Sequence, residues 1–309
     1  MQAPKIPPVI PRVIPAVIPP DWPNRAASRQ ISCAPHLWHV QQMGEGPTIL
    51  LIHGAGGASH SWRGLVPFLV GHYHLVIVDL PGQGFTRLGA RHRCGLDAMA
   101  EDLARLIAQE GWQPLAYIGH SAGAAIALRL TEIAPAPAVI GLNAALGQFE
   151  GVAGWLFPVM AKLLAAAPFV AQIFSRLAGN PAKVASLLAS TGSTIDATGQ
   201  ALYLRLLRMP SHVDATLAMM AQWSLDGLLA RLPQQTTSCL LITAANDQAV
   251  PPAKSAQAAA RMPHARWQDV AGYGHLLHEE APQIVAPLIL DFLATIAPAP
   301  MSGPMKECP

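Results

Sequence analysis

Charge is what this sequence has least of. Asp, Glu, Lys and Arg make up 12% of its 309 residues, about half the ~25% of an ordinary soluble domain. The formal net charge is +2, which excludes a protein held to nucleic acid by a basic surface. The cysteines, Cys33, Cys94, Cys239 and Cys308, stand far apart with no C-x-x-C. That excludes a disulfide scaffold and a cysteine-built zinc site, and it suits a reducing, cytoplasmic compartment. No uninterrupted apolar run follows Lys5, so a signal peptide is not expected. Residues 152–173 imitate a membrane span, but Lys162 lies near their middle and Pro158 and Pro168 interrupt them. A central lysine costs about 2.5–3.5 kcal/mol on insertion. The stretch reads instead as cap helices, apolar because they line a greasy pocket or lean on a bilayer.

What is present is apolar: 51% of the residues are hydrophobic and the mean hydropathy is +0.31. A chain of about 300 residues buries roughly three-quarters of its unfolded surface and needs no metal or disulfide to hold a core. Residues 1–27 read as a proline-rich tail, with Val9-Ile10-Pro11, Val13-Ile14-Pro15 and Val17-Ile18-Pro19 at a four-residue spacing. Proline at that density stops both helix and central strand. The tail is either an extended polyproline-like segment or an apolar clip for a partner, the cap or a membrane.

From residue 28 onward strand and helix patterns alternate. Residues 28–43 read as one or two strands turning near Pro35, and apolar runs at 49–53, 74–79, 115–119, 138–143, 239–244 and 266–270 read as further strands. Leu96 to Glu110 has helical spacing, with Leu96, Met99, Leu103, Leu106 and Ile107 on one face. Alternation of this kind predicts an α/β fold with a mostly parallel central sheet and helices on both faces. It stops between 146 and 232, where the pattern is helical throughout. The expected organisation is a core over 28–145 and 233–297, a helical cap over 146–232, and a C-terminal tail over 298–309.

Gly119-His120-Ser121-Ala122-Gly123 is a G-x-S-x-G set between an apolar strand and an alanine-rich helix start. The context gives it meaning: a nucleophile on a tight strand-to-helix turn needs flanking residues without side chains. A serine hydroxyl also needs a base, and the base needs an orienting acid. Asp247 follows the strand at 239–244 and His275 follows the strand at 266–270. The order Ser121, Asp247, His275 is that of an α/β-hydrolase triad. Two backbone amides must meet the developing oxyanion, and those of Ala122 and Ala55 are the candidates.

Gly54-Ala55-Gly56 with Asp79 further on also imitates a dinucleotide fingerprint, but Ser59 stands at the third glycine position. The twelve histidines show no metal-ligand spacing, since His275-Leu276-Leu277-His278-Glu279 is not H-E-x-x-H. No metal and no cofactor are expected. An apolar substrate pocket is expected from Trp155, Phe157, Met219, Met220 and Trp223, with Phe169 and Phe174 beside them.

His53-Gly54, Asp79-Leu80-Pro81-Gly82-Gln83-Gly84, the Ser121 turn, Asp247 and His275 together resemble the α/β-hydrolase superfamily over residues 28–297. A narrower resemblance, to the BchO proteins, is carried by Asp21-Trp22-Pro23-Asn24-Arg25, His60-Ser61-Trp62-Arg63, Gly84-Phe85-Thr86 and Thr191-Gly192-Ser193-Thr194-Ile195-Asp196. Residues 119–125, 217–223 and 245–252 carry it too. Those are α/β-hydrolases of bacteriochlorophyll biosynthesis, labelled magnesium-chelatase accessory proteins. The resemblance implies a place in photosynthetic pigment synthesis near magnesium insertion, with contacts to the chelatase; peripheral contact with the photosynthetic membrane is expected from the apolar cap and tail.

The sequence therefore leads to a serine hydrolase acting on an ester-like bond of an apolar substrate, such as a tetrapyrrole. Two alternatives stay open: a non-catalytic accessory that holds a porphyrin or docks on the chelatase, and a C–C hydrolase or haloperoxidase on the same scaffold.

Overall fold

The computed structural model describes residues 17–147 and 169–296. Eight strands form one sheet: β1 (Ser28–Cys33), β2 (His36–Met43), β3 (Thr48–Ile52), β4 (His74–Val78), β5 (Pro114–His120), β6 (Ala138–Leu142), β7 (Ser238–Ala244) and β8 (Ala265–Val270). Their spatial order is β1-β2-β4-β3-β5-β6-β7-β8. β1 and β2 form an antiparallel hairpin and β2 runs antiparallel to β4; all later neighbours are parallel. The α/β reading and its strand positions hold, with boundaries shifted by a residue.

Alternation along β3 shows why the sheet is buried on both faces. Leu50 and Ile52 enter one cluster, together with Val76, Val78 and Tyr117, under the helices Leu96–Glu110 and Ala122–Thr131. Ile49 and Leu51 enter the other, with Leu75, Ile77 and Ile118, under the helix Pro282–Ala294. A period of two sends successive side chains to opposite faces, so a run such as Thr48–Ile52 can serve two cores.

Between β6 and β7 the described residues are helical: Val170–Ala178, Pro181–Ala189, Ala197–Leu207, Pro210–Gln222 and Asp226–Arg231. Asn180 and Asp196 cap the second and third, their side chains accepting from the amides of Ala182 and Gly199. The helix Asp226–Arg231 buries Leu228 in the core and packs against Ala122–Thr131. Near the N-terminus the chain lies against the rest of the molecule. Trp22 packs with Ala58, Phe85, Leu202 and Leu206, and Arg205 grips the Asp21 carboxylate through two nitrogens at 2.9 and 2.7 Å.

Candidate active site

The carboxyl ends of β3, β5, β6, β7 and β8 face one cavity, the usual place for a site on a parallel sheet. At the end of β5 the chain turns sharply into the helix Ala122–Thr131, and Ser121 sits on the turn with φ 51° and ψ −117°. A left-handed φ on a residue with a Cβ costs on the order of 1–3 kcal/mol. Three backbone hydrogen bonds hold it there: the Ser121 amide donates to Leu142 O at 2.9 Å, and the Ser121 carbonyl accepts from the amides of Ala124 and Ala145, both at 3.1 Å. A Cβ on Gly119 would lie 2.3 Å from Gly123 O, and one on Gly123 would lie 2.2 Å from Ile52 O. Both glycines are therefore required by close approach, as the G-x-S-x-G reading supposed.

Asp247 and His275, 28 residues apart, meet at the ends of β7 and β8. His275 Nδ1 donates to Asp247 Oδ2 at 2.8 Å. The other oxygen of Asp247 accepts from the amides of Ala249 and Val250, both at 2.8 Å, so the carboxylate cannot swing away. With Nδ1 carrying its proton to Asp247, Nε2 is the nitrogen left to face the cavity. Ser121 and His275 both line that cavity.

Two residues that sequence reasoning passed over hold the histidine loop. Asn143, in a left-handed turn of φ 45° just past β6, donates to Gly274 O at 3.0 Å and to His275 O at 2.7 Å. Its side-chain oxygen accepts from the amide of Ala244 at 2.8 Å. His120 donates from Nε2 to the same His275 carbonyl at 2.9 Å, and its ring lies 4.8 Å from that of His275. Burial, reinforced by His278 and His275, pushes the His120 imidazole well below the usual histidine range. It is a neutral donor beside the site. The reach of Asn143 across three strand ends left no signal in the sequence.

The candidate oxyanion loop follows β3. Ala55 and Ala122 both border the cavity, and the amide of Ala122 opens a helix whose first N–H groups have no partner within the helix. His53 accepts from the amide of Leu80 on Nε2 at 2.9 Å and donates from Nδ1 to Gly54 O at 2.7 Å. Gln83 accepts from the amide of Gly56 at 2.8 Å. His212, on the helix Pro210–Gln222, accepts from the amide of Gly84 at 3.0 Å and donates to Gly56 O at 3.2 Å. Burial pushes its pKa down to about 4, so this clamp is neutral. His212 lines the cavity and gave no signal in the sequence.

Asp79 is spent on the fold rather than on a ribose. It accepts from the amides of Ser59 at 2.6 Å and Phe85 at 2.8 Å, and from His39 at 2.6 Å. Burial alone would raise its pKa, but His39 and these amides hold it well below the usual carboxylate range. The dinucleotide reading of this region falls with that.

The cavity holds about 1180 Å³ and runs from Ser121 to the helices of the insertion. Met219, Met220 and Trp223 line it as expected, and so does Phe174. Phe169 does not: it is 71% exposed on the outside of its helix. Trp155 and Phe157 lie outside the described residues. Away from the histidines, the ionisable groups on the wall, among the described residues, are Tyr203, Asp226 and Lys254.

A buried polar knot ties the insertion to the core next to this cavity. Tyr203 donates to Glu279 at 2.6 Å, and Arg63 bridges Glu279 to Asp196. Burial drives the Glu279 carboxyl up to about 7 against the pull of Arg63 and Tyr203.

Residues 47–282 match the alpha/beta hydrolase fold family. The chain is 46% identical over 275 residues to the magnesium-chelatase 30 kDa subunit of Rhodobacter capsulatus, covering 88% of this chain and 96% of that one. It is 27% identical over 241 residues to a pimeloyl-[acyl-carrier protein] methyl ester esterase of Xanthomonas oryzae pv. oryzae, covering 77% and 91%. An esterase structure from Exiguobacterium antarcticum superposes with a TM-score of 0.71 at 16% identity, covering 86% of this chain and 98% of that one; at that identity the likeness concerns the fold. Core architecture, matched family and 46% relative agree: the chain belongs to the alpha/beta hydrolase family, in the BchO-like group of the magnesium-chelatase 30 kDa subunit.

Proposed function

We propose that this protein is a serine hydrolase that cleaves an ester-like bond of an apolar substrate. The observation that carries the reading is the pairing of His275 Nδ1 with a doubly anchored Asp247 at 2.8 Å, opening on the cavity that the strained Ser121 also lines. In this reading His275 Nε2 takes the proton of Ser121 Oγ as that oxygen attacks the substrate carbonyl. Asp247 keeps the imidazole in the right tautomer and stabilises its charged form. The amides of Ala55 and Ala122 receive the oxyanion. The tetrahedral intermediate expels the alcohol, which takes the proton from His275. Water, deprotonated by the same nitrogen, then attacks the acyl-serine, and His275 returns that proton to Ser121 Oγ as the acid leaves.

The volume of about 1180 Å³ exceeds the ~300–1,000 Å³ of drug-sized sites and suits a large, flat apolar body such as a tetrapyrrole ester. The 46% relationship to a magnesium-chelatase subunit supports a role beside magnesium insertion in bacteriochlorophyll synthesis, with contacts to the chelatase, and the apolar insertion suits peripheral contact with the photosynthetic membrane. That same relationship favours the second reading, a non-catalytic porphyrin-holding or chelatase-docking accessory.

Hydrolysis of a panel of aryl and alkyl esters, porphyrin propionate esters among them, tests the first reading. Ser121→Ala is expected to lower any measured rate by roughly 10⁶, and an undiminished rate would overturn the triad. A strain carrying Ser121→Ala that makes normal pigment decides for the accessory reading.

A further inference from the structure

Two helices of the insertion carry their side chains the wrong way round for a surface facing water. Val170–Ala178 packs on Pro210–Gln222, and its buried positions are the small Ala171 and Ser175. Its outer side carries Phe169, Ile173 and Leu177, exposed by 71%, 54% and 61%. A spacing of four puts those three in one stripe. Pro181–Ala189 adds Leu187, exposed by 50%. With Phe174, five of the ten large exposed hydrophobics among the described residues fall within residues 169–187. Scattered apolar residues need no explanation, but a contiguous patch does.

Within the segment that carries the patch the charges have one sign. Residues 169–195 contain no Asp or Glu, and their ionisable groups are Arg176 and Lys183, both exposed. An apolar stripe whose own segment carries only cations is complementary to an anionic lipid surface. A second copy of the chain is a poorer occupant, because a self-complementary contact would bring Arg176 and Lys183 of one copy towards those of the other. The patch is also continuous with the cavity: Phe174 and Leu187 belong to both.

We propose that the helices Val170–Ala178 and Pro181–Ala189 seat this protein on an anionic bilayer, and that apolar substrate passes from the lipid to Ser121 between them. The seating stands on this face alone. The delivery rests on the hydrolase reading above.

The test is flotation of the full chain with vesicles of equal parts phosphatidylglycerol and phosphatidylcholine, and with phosphatidylcholine alone. The native protein is expected to float with the anionic vesicles. The double change Ile173→Glu and Leu177→Glu should cut the floated fraction roughly tenfold or more, since two leucine-sized side chains lose their burial. Arg176→Gln with Lys183→Gln should weaken binding, as should raised salt. All these variants should keep the native unfolding midpoint and the native rate on a water-soluble ester, and Ser121→Ala should float like the native chain. Absence of flotation, or flotation untouched by Ile173→Glu and Leu177→Glu, overturns the seating. So does a dimer in sedimentation that those two changes dissolve while no vesicle binds. Flotation without any Ser121-dependent hydrolysis leaves the seating in place and overturns the delivery.

Discussion

Asp247 divides its two oxygens between different tasks, one on the amides of Ala249 and Val250 and one on His275 Nδ1. Asp247→Asn should keep the shape and lose the function, because an amide nitrogen facing His275 favours the wrong tautomer. A loss of about 10⁴ in turnover with an unchanged unfolding midpoint is the expected result, and a loss below tenfold would remove Asp247 from the reaction. Asn143 acts at one remove, fixing the Gly274 and His275 carbonyls. Asn143→Ala strips three hydrogen bonds from buried groups, each worth about 1 kcal/mol, so stability should fall by on the order of 2–3 kcal/mol. Turnover should fall with KM little changed, as befits a positioning residue. An increase in KM at constant kcat would place Asn143 in binding instead. Ser121, Asp247 and His275 were legible because each follows a strand in the chain order of a known constellation. Asn143, His120 and His212 were not, because their roles depend on which loops come together, and nothing local in the sequence encodes that meeting.

Among the elements, the helix Pro210–Gln222 does more than close the cavity. Through His212 it fixes both the loop of Ala55 and the loop of Gly84. His212 has its pKa held near 4 by burial, and His278 near 3. Their folded values lie below the unfolded value of about 6.5, so the unfolded chain takes up protons that the folded chain refuses. The stability they contribute is present above pH 6.5 and is lost as pH falls through about 4 for His212 and about 3 for His278. His212 by itself accounts for a loss on the order of 3 kcal/mol across that window. Urea unfolding between pH 7 and 4 should show the decline, and His212→Gln should flatten part of it. A slope identical in the two proteins would mean that His212 is not held neutral. The strands were legible from runs serving two cores, such as Thr48–Ile52. Strand ends slipped where backbone conformation intervened: the run at 138–143 stops at Leu142 because Asn143 turns left-handed. Phe169 was read as pocket-facing, and a helix of nine residues with apolar side chains on two sides does not reveal in its sequence which side packs.

At the scale of the whole molecule, the low charge and high hydropathy find their place in three regions: a sheet buried on both faces, a large apolar cavity, and an exposed stripe on the insertion. Among the described residues no helix is long and apolar enough to cross a membrane; the lipid contact proposed above rests on that stripe instead. The knot of Arg63, Glu279 and Tyr203 joins the insertion to the core. Tyr203→Phe removes a hydrogen-bond donor from the buried Glu279 and should destabilise by about 1–3 kcal/mol; an unchanged midpoint would show that the knot holds nothing.

Everything proposed about catalysis turns on whether Ser121 is an activated nucleophile. A fluorophosphonate probe measures that without knowledge of the substrate, and the mass of the labelled peptide locates the adduct. A single adduct on Ser121, formed by the native chain and lost in both Ser121→Ala and His275→Ala, is the result the account predicts. A folded native chain that takes no label, or that labels equally well without His275, would contradict it.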